Sequence, residues 1–379
     1  MSQLLVVVGA RPNFMKAASI IEAAQQAELS YTLLHTGQHY DAELSRVFFD
    51  ELELPEPDVS LNVGSGSHAQ QTAHIMLRFE EALLRLNPSI VVVVGDVNST
   101  LACALVAVKE RFPVAHVEAG LRCFDPWMPE EINRKLCDHI SSYLFATSRD
   151  AVENLENEGI SRDRIFFVGN PMIDPLLRLC EVARSRRTSA RLGVDGGPYA
   201  VVTLHRPSNV DDVDSLAPLM STLEELSRIL PVVFPLHPRT RACLDAAGLT
   251  GRLEATSGIT LTRPLGYLDF VGLIAEAALV LTDSGGIQEE TTALGVPCLT
   301  LRKTTERPVT VTEGTNRVVG VNPRHILSAA VETLATRAPA RALPELWDGG
   351  AGQRIVERLH EELFPNLPLA AAGSGAAWP

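Results

Sequence analysis

Residues 90–100 read IVVVVGDVNST. Five β-branched residues in succession, with no polar alternation, make a strand buried on both faces, as in a parallel sheet covered by helices. Gly95-Asp96 ends that strand and Asn98-Ser99-Thr100 opens a helix. Working outward, similar short runs occur at Leu4–Val8, Tyr31–His35, Val114–Val117 and Ile165–Val168. They resume at Tyr199–Leu204, Val232–Pro235, Leu279–Thr282 and Pro297–Leu301, with amphipathic stretches of helical length between them. Strands alternating with helices imply an α/β fold of doubly wound parallel sheets, with right-handed crossovers and ligands at the carboxyl ends of the strands.

The chain has 379 residues, which at roughly 150 residues per domain gives two domains. The pattern breaks in the basic, polar segment 178–198, which ends in Gly196-Gly197-Pro198. The expected organisation is a first domain over 1–177, a linker over 178–198, and a second domain of similar size from 199 to 354, with the site in the cleft between them. Residues 367–379 read as a disordered Ala/Gly-rich tail.

With 33 Lys+Arg against 46 Asp+Glu the net charge is −13, which argues against a general nucleic-acid or anionic-membrane surface. No apolar run approaches the roughly 18–20 residues that span a bilayer. The start MSQLLVVVGARP has no basic leader region and reads as a strand and turn. Six scattered cysteines form no CxxC pair, as expected of buried thiols in a reducing cytoplasm, and the ten histidines include no HExxH, so no metal site is expected.

Chemistry concentrates at strand ends. After the first strand, GARPNFMK places Arg11 and Lys16 beside a helix N-terminus, either as an anion site or as solvated cations. Asp96 stands at the lip of the sheet, for chemistry or as a helix cap. Glu118 in AHVEAGLR ends the next strand. Glu130 and Glu131 open a helix at Pro129, where acidic side chains also complement the helix dipole. In the second half, His205 follows its first strand. LTDSGGIQEE then breaks a strand at Asp283, offers Ser284, Gly285 and Gly286 at a helix start, and carries Glu290 one turn on. Glycine-rich turns feeding a helix suit phosphate, and a carboxylate one turn later suits a ribose diol. Arg307 in TTERP supplies a further cation. Gly64–Ala69 formally fits GxGxxA but lacks the strand and acidic residue of a dinucleotide site, and reads as a loop before a helix.

Together, GARPNFMK, HTGQHYD, GDVNST, HVEAGLR, PEEINR, GNPMIDPL, HRPSN, TDSGGIQEE and TTERP resemble the non-hydrolysing UDP-N-acetylglucosamine 2-epimerases, in the family's order and over nearly the whole chain. The resemblance implies a GT-B-like fold of two Rossmann-like doubly wound domains with a cleft between them. A C-terminal helix over 355–366 would cross back to the first domain. It implies reversible conversion of UDP-N-acetylglucosamine to UDP-N-acetylmannosamine with no cofactor, through UDP elimination, a 2-acetamidoglucal intermediate and re-addition. It assigns Asp96, Glu118, Glu130 and His205 as catalytic, Arg11, Lys16, Ser284, Gly285, Gly286 and Arg307 to the diphosphate, Glu290 to the ribose and Phe270 to the uracil. The implied partners are the UDP-sugar, UDP and a second copy of the chain as a homodimer.

The chain departs from many bacterial members in having HRPSN for HRREN, and again at Tyr40 and Asp41. In several bacterial relatives these regions help bind a second, activating UDP-N-acetylglucosamine, which speaks against that activation here. Two other readings keep the same UDP half-site: a 2-epimerase of a modified UDP-sugar such as a 2,3-diacetamido uronic acid, and a GT-B glycosyltransferase.

Overall fold

The computed structural model describes residues 3–38, 49–336 and 342–365. Tyr40, Asp41 and the 367–379 tail lie outside the described residues. Two compact units are present: the described residues of Met1–Pro175 with Glu345–Pro379, and Leu176–Pro344.

The first unit contains β1 (Leu4–Val8), β2 (Tyr31–His35), β3 (Val59–Ser60), β4 (Ile90–Val94), β5 (Val114–Ala119), β6 (Tyr143–Ala146) and β7 (Ile165–Phe167). They pair in the order β3-β2-β1-β4-β5-β6-β7, every pair parallel. Every residue of β1 and β4 is buried, which is why these strands read as unbroken apolar runs. The chain winds outward from β1 to β3, then returns to β4 and winds the other way. The loops after β1 and β4 therefore part at the carboxyl ends and leave a crevice, the usual ligand position of such sheets.

The second unit repeats the plan with β8 (Ala200–Thr203), β9 (Val232–Pro235), β10 (Ile259–Thr262), β11 (Leu279–Thr282), β12 (Cys298–Thr300) and β13 (Asn316–Val318). Its order is β10-β9-β8-β11-β12-β13, again all parallel, with the reversal between β8 and β11.

Several boundaries differ from expectation. The division falls at Pro175/Leu176, inside the helix Ile173–Ser185, and the segment expected as linker also holds the short helix Thr188–Arg191. The chain rejoins the first unit at Glu345, and the final helix starts at Ala351. A Cβ on Gly352, in the first turn of that final helix, would stand 2.2 Å from Ser19 Oγ, so close packing on the helix Arg11–Gln26 demands glycine. Asp174 accepts from Ser19 Oγ at 2.5 Å and the Gly352 amide at 2.8 Å, and fully buried Trp347 donates from Nε1 to the Thr147 carbonyl at 3.0 Å. Sealing that much indole surface from water contributes roughly 3 kcal/mol or more. β3, β6, β10 and β13 escape a reading by apolar runs because they are short or have mixed composition.

Candidate active site

In the first unit the helix Arg11–Gln26 follows β1 after a two-residue turn. Asn13 stitches that turn to the next strand, its Oδ1 accepting the Gly9 and Ala10 amides at 3.1 and 3.0 Å and its Nδ2 donating to the Val94 carbonyl at 2.9 Å. Arg11 opens the helix. One turn further, buried Lys16 forms an ion pair with the carboxylate of buried Glu118.

Glu118 is reached by an unusual backbone. Its φ of 71° lies in the left-handed region, and the β5–β6 register shifts across it between Val117 and Ala119. A bulge turns a side chain out of the alternating pattern, and a non-glycine residue held left-handed costs of order 1–3 kcal/mol, which the surrounding fold must supply. The strand runs one residue past Glu118, to Ala119, and its irregular end carries the carboxylate. Gly95 approaches closely, since a Cβ on it would lie 3.3 Å from Glu118 Oε2 and 3.4 Å from Lys16 Nζ.

Asp96, a quarter exposed, accepts Arg134 Nη1 at 2.6 Å, and its carbonyl accepts Asn133 Nδ2 at 2.9 Å. Both partners belong to the helix Pro129–Ile140, so that helix is tied to the loop after β4. Its two N-terminal carboxylates divide. Glu131 is buried and accepts the Cys123 and Phe124 amides, both at 3.1 Å, and Arg134 Nη2 at 2.7 Å. Burial raises its pKa, but the Arg134 guanidinium and those amides more than offset this and hold it below the usual value. Glu130 is half-exposed. The first unit therefore gathers Lys16, Asp96 and Glu118 at the β1/β4 crevice, with Glu130 on a helix bound to Asp96.

The second unit gathers a complementary set. Asp283, fully buried just after β11, accepts the His205 amide at 3.1 Å, the Arg206 amide at 3.0 Å and Asn209 Nδ2 at 3.0 Å. His205 Nδ1 lies 3.0 Å from Asp283 Oδ1. Burial pushes the Asp283 pKa up, yet His205 and the two amides bring it below the ordinary value, so a carboxylate orients the imidazole. In sequence Asp283 marks only the break of a strand, and nothing local links it to His205, 78 residues earlier.

Ser284 occupies the N-cap position of the helix Gly285–Leu294 without a side-chain capping bond. A Cβ on Gly285 would fall 2.5 Å from Arg307 Nη1, so only glycine lets that guanidinium reach the helix start. Half-exposed Gly286 follows. Arg307 is pinned between Glu289 at 2.9 Å and Glu306 at 2.5 Å. Glu306 also meets Arg302 at 2.7 Å and Arg206 at 3.7 Å, so three guanidiniums converge on one carboxylate. Against the effect of burial, Arg307 and Arg302 hold Glu306 far below the usual carboxylate range. Glu290 is buried, and that burial together with the charge of Glu289 pushes its carboxyl up to about 8. Phe270, on the helix Tyr267–Ala275, packs half-buried against the core cluster that Ile287 also joins.

Among the described residues no group of three or more His, Cys, Asp or Glu side chains is placed to hold a metal ion, and no helix is long and apolar enough to cross a membrane.

Two all-parallel Rossmann-like units in one chain, with carboxylates at one switch point and a glycine-rich helix start with clustered arginines at the other, define a GT-B-like α/β enzyme class. The chain matches the family model of UDP-N-acetylglucosamine 2-epimerase over residues 21–360. It belongs to that family, and is an isomerase.

It is 42% identical to the UDP-N-acetylglucosamine 2-epimerase of Methanocaldococcus jannaschii over 94% of this chain and 98% of that one. It is 41% identical to the UDP-2,3-diacetamido-2,3-dideoxy-D-glucuronate 2-epimerase of Pseudomonas aeruginosa, over 94% of this chain and 99% of that one. The crystal structure of the Methanocaldococcus jannaschii enzyme in complex with UDP-GlcNAc and UDP superimposes with a TM-score of 0.88 at 42% identity, covering 94% of this chain and 99% of that one.

Proposed function

We propose that the enzyme inverts C2 of UDP-N-acetylglucosamine, giving UDP-N-acetylmannosamine reversibly by elimination and re-addition of UDP. The C2 proton is not adjacent to a carbonyl, so direct abstraction is prohibitively slow. Breaking the C1–O bond to UDP first leaves an oxocarbenium-like C1 and makes that proton acidic. A carboxylate then takes it, and a C1=C2 double bond forms, giving 2-acetamidoglucal and UDP. Return of a proton to the opposite face of C2, with the diphosphate oxygen re-forming its bond to C1, completes an isomerisation that consumes nothing.

Asp96, Glu118 and Glu130 serve as the acid, base and cation-stabilising groups, with His205 held by Asp283. Arg11, Lys16, Ser284, Gly285, Gly286 and Arg307 stabilise the departing diphosphate, Glu290 binds the ribose and Phe270 lies by the uracil. The observation that carries this reading is the grouping of Lys16, Asp96 and Glu118 at the β1/β4 crevice of a chain in this family.

A second reading keeps the chemistry and changes the sugar to a 2,3-diacetamido uronate, because the Pseudomonas aeruginosa relative is about as similar to this chain as the Methanocaldococcus jannaschii one. Proton NMR in D2O with each nucleotide sugar separates them. The expected result is UDP-N-acetylmannosamine carrying deuterium at C2. Turnover of the uronate alone would move the assignment to it, and acceptor-dependent sugar transfer would replace epimerisation by glycosyl transfer.

We also propose a homodimer formed through the first unit. Leu77 and Leu84 are exposed seven residues apart on the helix His68–Leu86, and Ile132 and Leu136 four apart on Pro129–Ile140. Both helices pack on the helix Asn98–Lys109, and Phe124 and Trp127 add exposed aromatic surface before Pro129. Large apolar side chains exposed on neighbouring elements support an interaction site there. Sedimentation should show a dimer that Leu77→Glu with Leu84→Glu converts to monomer; a monomeric parent chain would end the proposal.

A further inference from the structure

Beneath the carboxylates of the first unit lies a buried ion network that the reaction itself does not use. His116 on β5 and Asp138 on the helix Pro129–Ile140 are both fully buried. His116 Nδ1 lies 2.6 Å from Asp138 Oδ1, and its Nε2 lies 2.8 Å from the Gly95 carbonyl. A peptide carbonyl only accepts, and Asp138 is kept a carboxylate by Arg122 Nη2 at 2.7 Å from Oδ2, so both ring nitrogens carry protons and the imidazole is a cation. Burial pulls the His116 pKa down, but Cys137 and Asp138 more than reverse that and hold it well above its ordinary value.

The two ends of this pair touch the two loops that matter. Gly95 immediately precedes Asp96. Asp138 Oδ2 accepts the amide of Gly120, two residues beyond Glu118, at 3.1 Å. Gly120 is boxed in further, its carbonyl accepting Asn154 Nδ2 at 3.0 Å, and a Cβ on it would fall 2.3 Å from the Ala151 carbonyl oxygen. Arg122 is anchored in turn by Glu158 through bonds of 2.8 and 2.7 Å.

We infer that His116 and Asp138 are positioning residues for the epimerisation, a single buried ion pair that sets the loop of Asp96 through the Gly95 carbonyl and the loop of Glu118 through the Gly120 amide. The inference rests on the catalytic roles proposed for those two carboxylates. A buried, hydrogen-bonded ion pair suits the task because each partner is held in a single geometry away from water, so the two loops share one rigid reference.

Two substitutions separate its arms. His116→Gln can still reach the Gly95 carbonyl but offers no proton to Asp138, and His116→Asn does the reverse. In both, kcat should fall about 30-fold while the KM for the nucleotide sugar and the affinity for UDP stay within about twofold, as expected when reacting groups shift by a fraction of an ångström. Amide hydrogen exchange assigns the arms: the Gln variant should loosen Gly120, and the Asn variant the segment 96–100. Asp138→Asn, which keeps an oxygen for the Gly120 amide, is read in the same way, so a His116 variant that fails to fold leaves the pair testable.

Turnover within about threefold of the parent in the folded variants, or UDP affinity falling in step with kcat, would overturn the inference. Turnover by the parent enzyme tests the functional reading separately, and exchange at the two loops reports on the pair whichever sugar is the substrate.

Discussion

Asp96→Asn should abolish turnover, with kcat falling by a factor of about 10³ or more, while UDP binds with nearly unchanged affinity. The fold should tolerate the change. The Asn carbonyl can still accept from Arg134 Nη1, now 2.6 Å from the carboxylate, and Arg134 keeps its second partner Glu131 at 2.7 Å. The side chain lies at the lip of the sheet, a quarter exposed, so no buried charge is orphaned by the substitution. What disappears is the ability to take or return a proton, and with it the negative charge that steadies an oxocarbenium-like C1. UDP affinity is expected to survive because Asp96 is not among the groups assigned to the nucleotide, most of which (Arg307, Glu290 and the start of the helix Gly285–Leu294) belong to the other unit. NMR rates and titration calorimetry with UDP measure the two quantities, and near-normal turnover would remove Asp96 from the mechanism.

Glu290→Gln should weaken UDP binding by about 10- to 100-fold, the range expected for losing a charged hydrogen bond to the ribose, and should stabilise the protein at pH 8. Glu290 is buried with a carboxyl pushed up to about 8, against an ordinary value of 4.5. Between those two values the folded chain keeps a proton that the unfolded chain has released. Stability from this group is therefore fully present below about pH 4.5, declines as pH rises towards about 8, and is level above it.

A glutamine has no charge to bury, so the variant should lack this slope and be more stable at pH 8 by about 2–4 kcal/mol, discounted for coupling to Glu289. Binding of a ribose diol calls for the ionised carboxylate, so UDP affinity of the parent enzyme should rise between pH 6 and 8, and the variant should lose that rise. Thermal unfolding and UDP titration across this pH range check both. Parallel stability profiles for parent and variant would place the proton elsewhere.

These two carboxylates show what could be read without the fold. Asp96 and Glu290 both stand where an apolar run meets a turn and a helix, a local pattern visible in GDVNST and TDSGGIQEE. Glu130 and Glu131 show the limit. They are neighbours at one helix start and look alike in sequence, yet Glu131 is a buried clamp on the Cys123 and Phe124 amides while Glu130 is left half-exposed. The amides that separate them belong to a preceding turn, and no periodicity reports where that turn comes to rest. His116 falls inside the legible HVEAGLR segment, but its use depends on Asp138, 22 residues on, and on the carbonyl of Gly95, 21 residues back.

By itself the sequence determined the α/β class, the two-domain division, most central strands and the strand-end positions of the candidate residues, because strand burial and helix amphipathicity are written in near-neighbour spacing. Tertiary structure alone decided the left-handed bulge that aims Glu118 at Lys16, the anchoring of His205 by Asp283, the gathering of three arginines on Glu306, and the return of the chain to the first unit at Glu345. Each joins groups distant along the chain, where only the packing of the sheets and helices determines which charges meet and which are shut away from water.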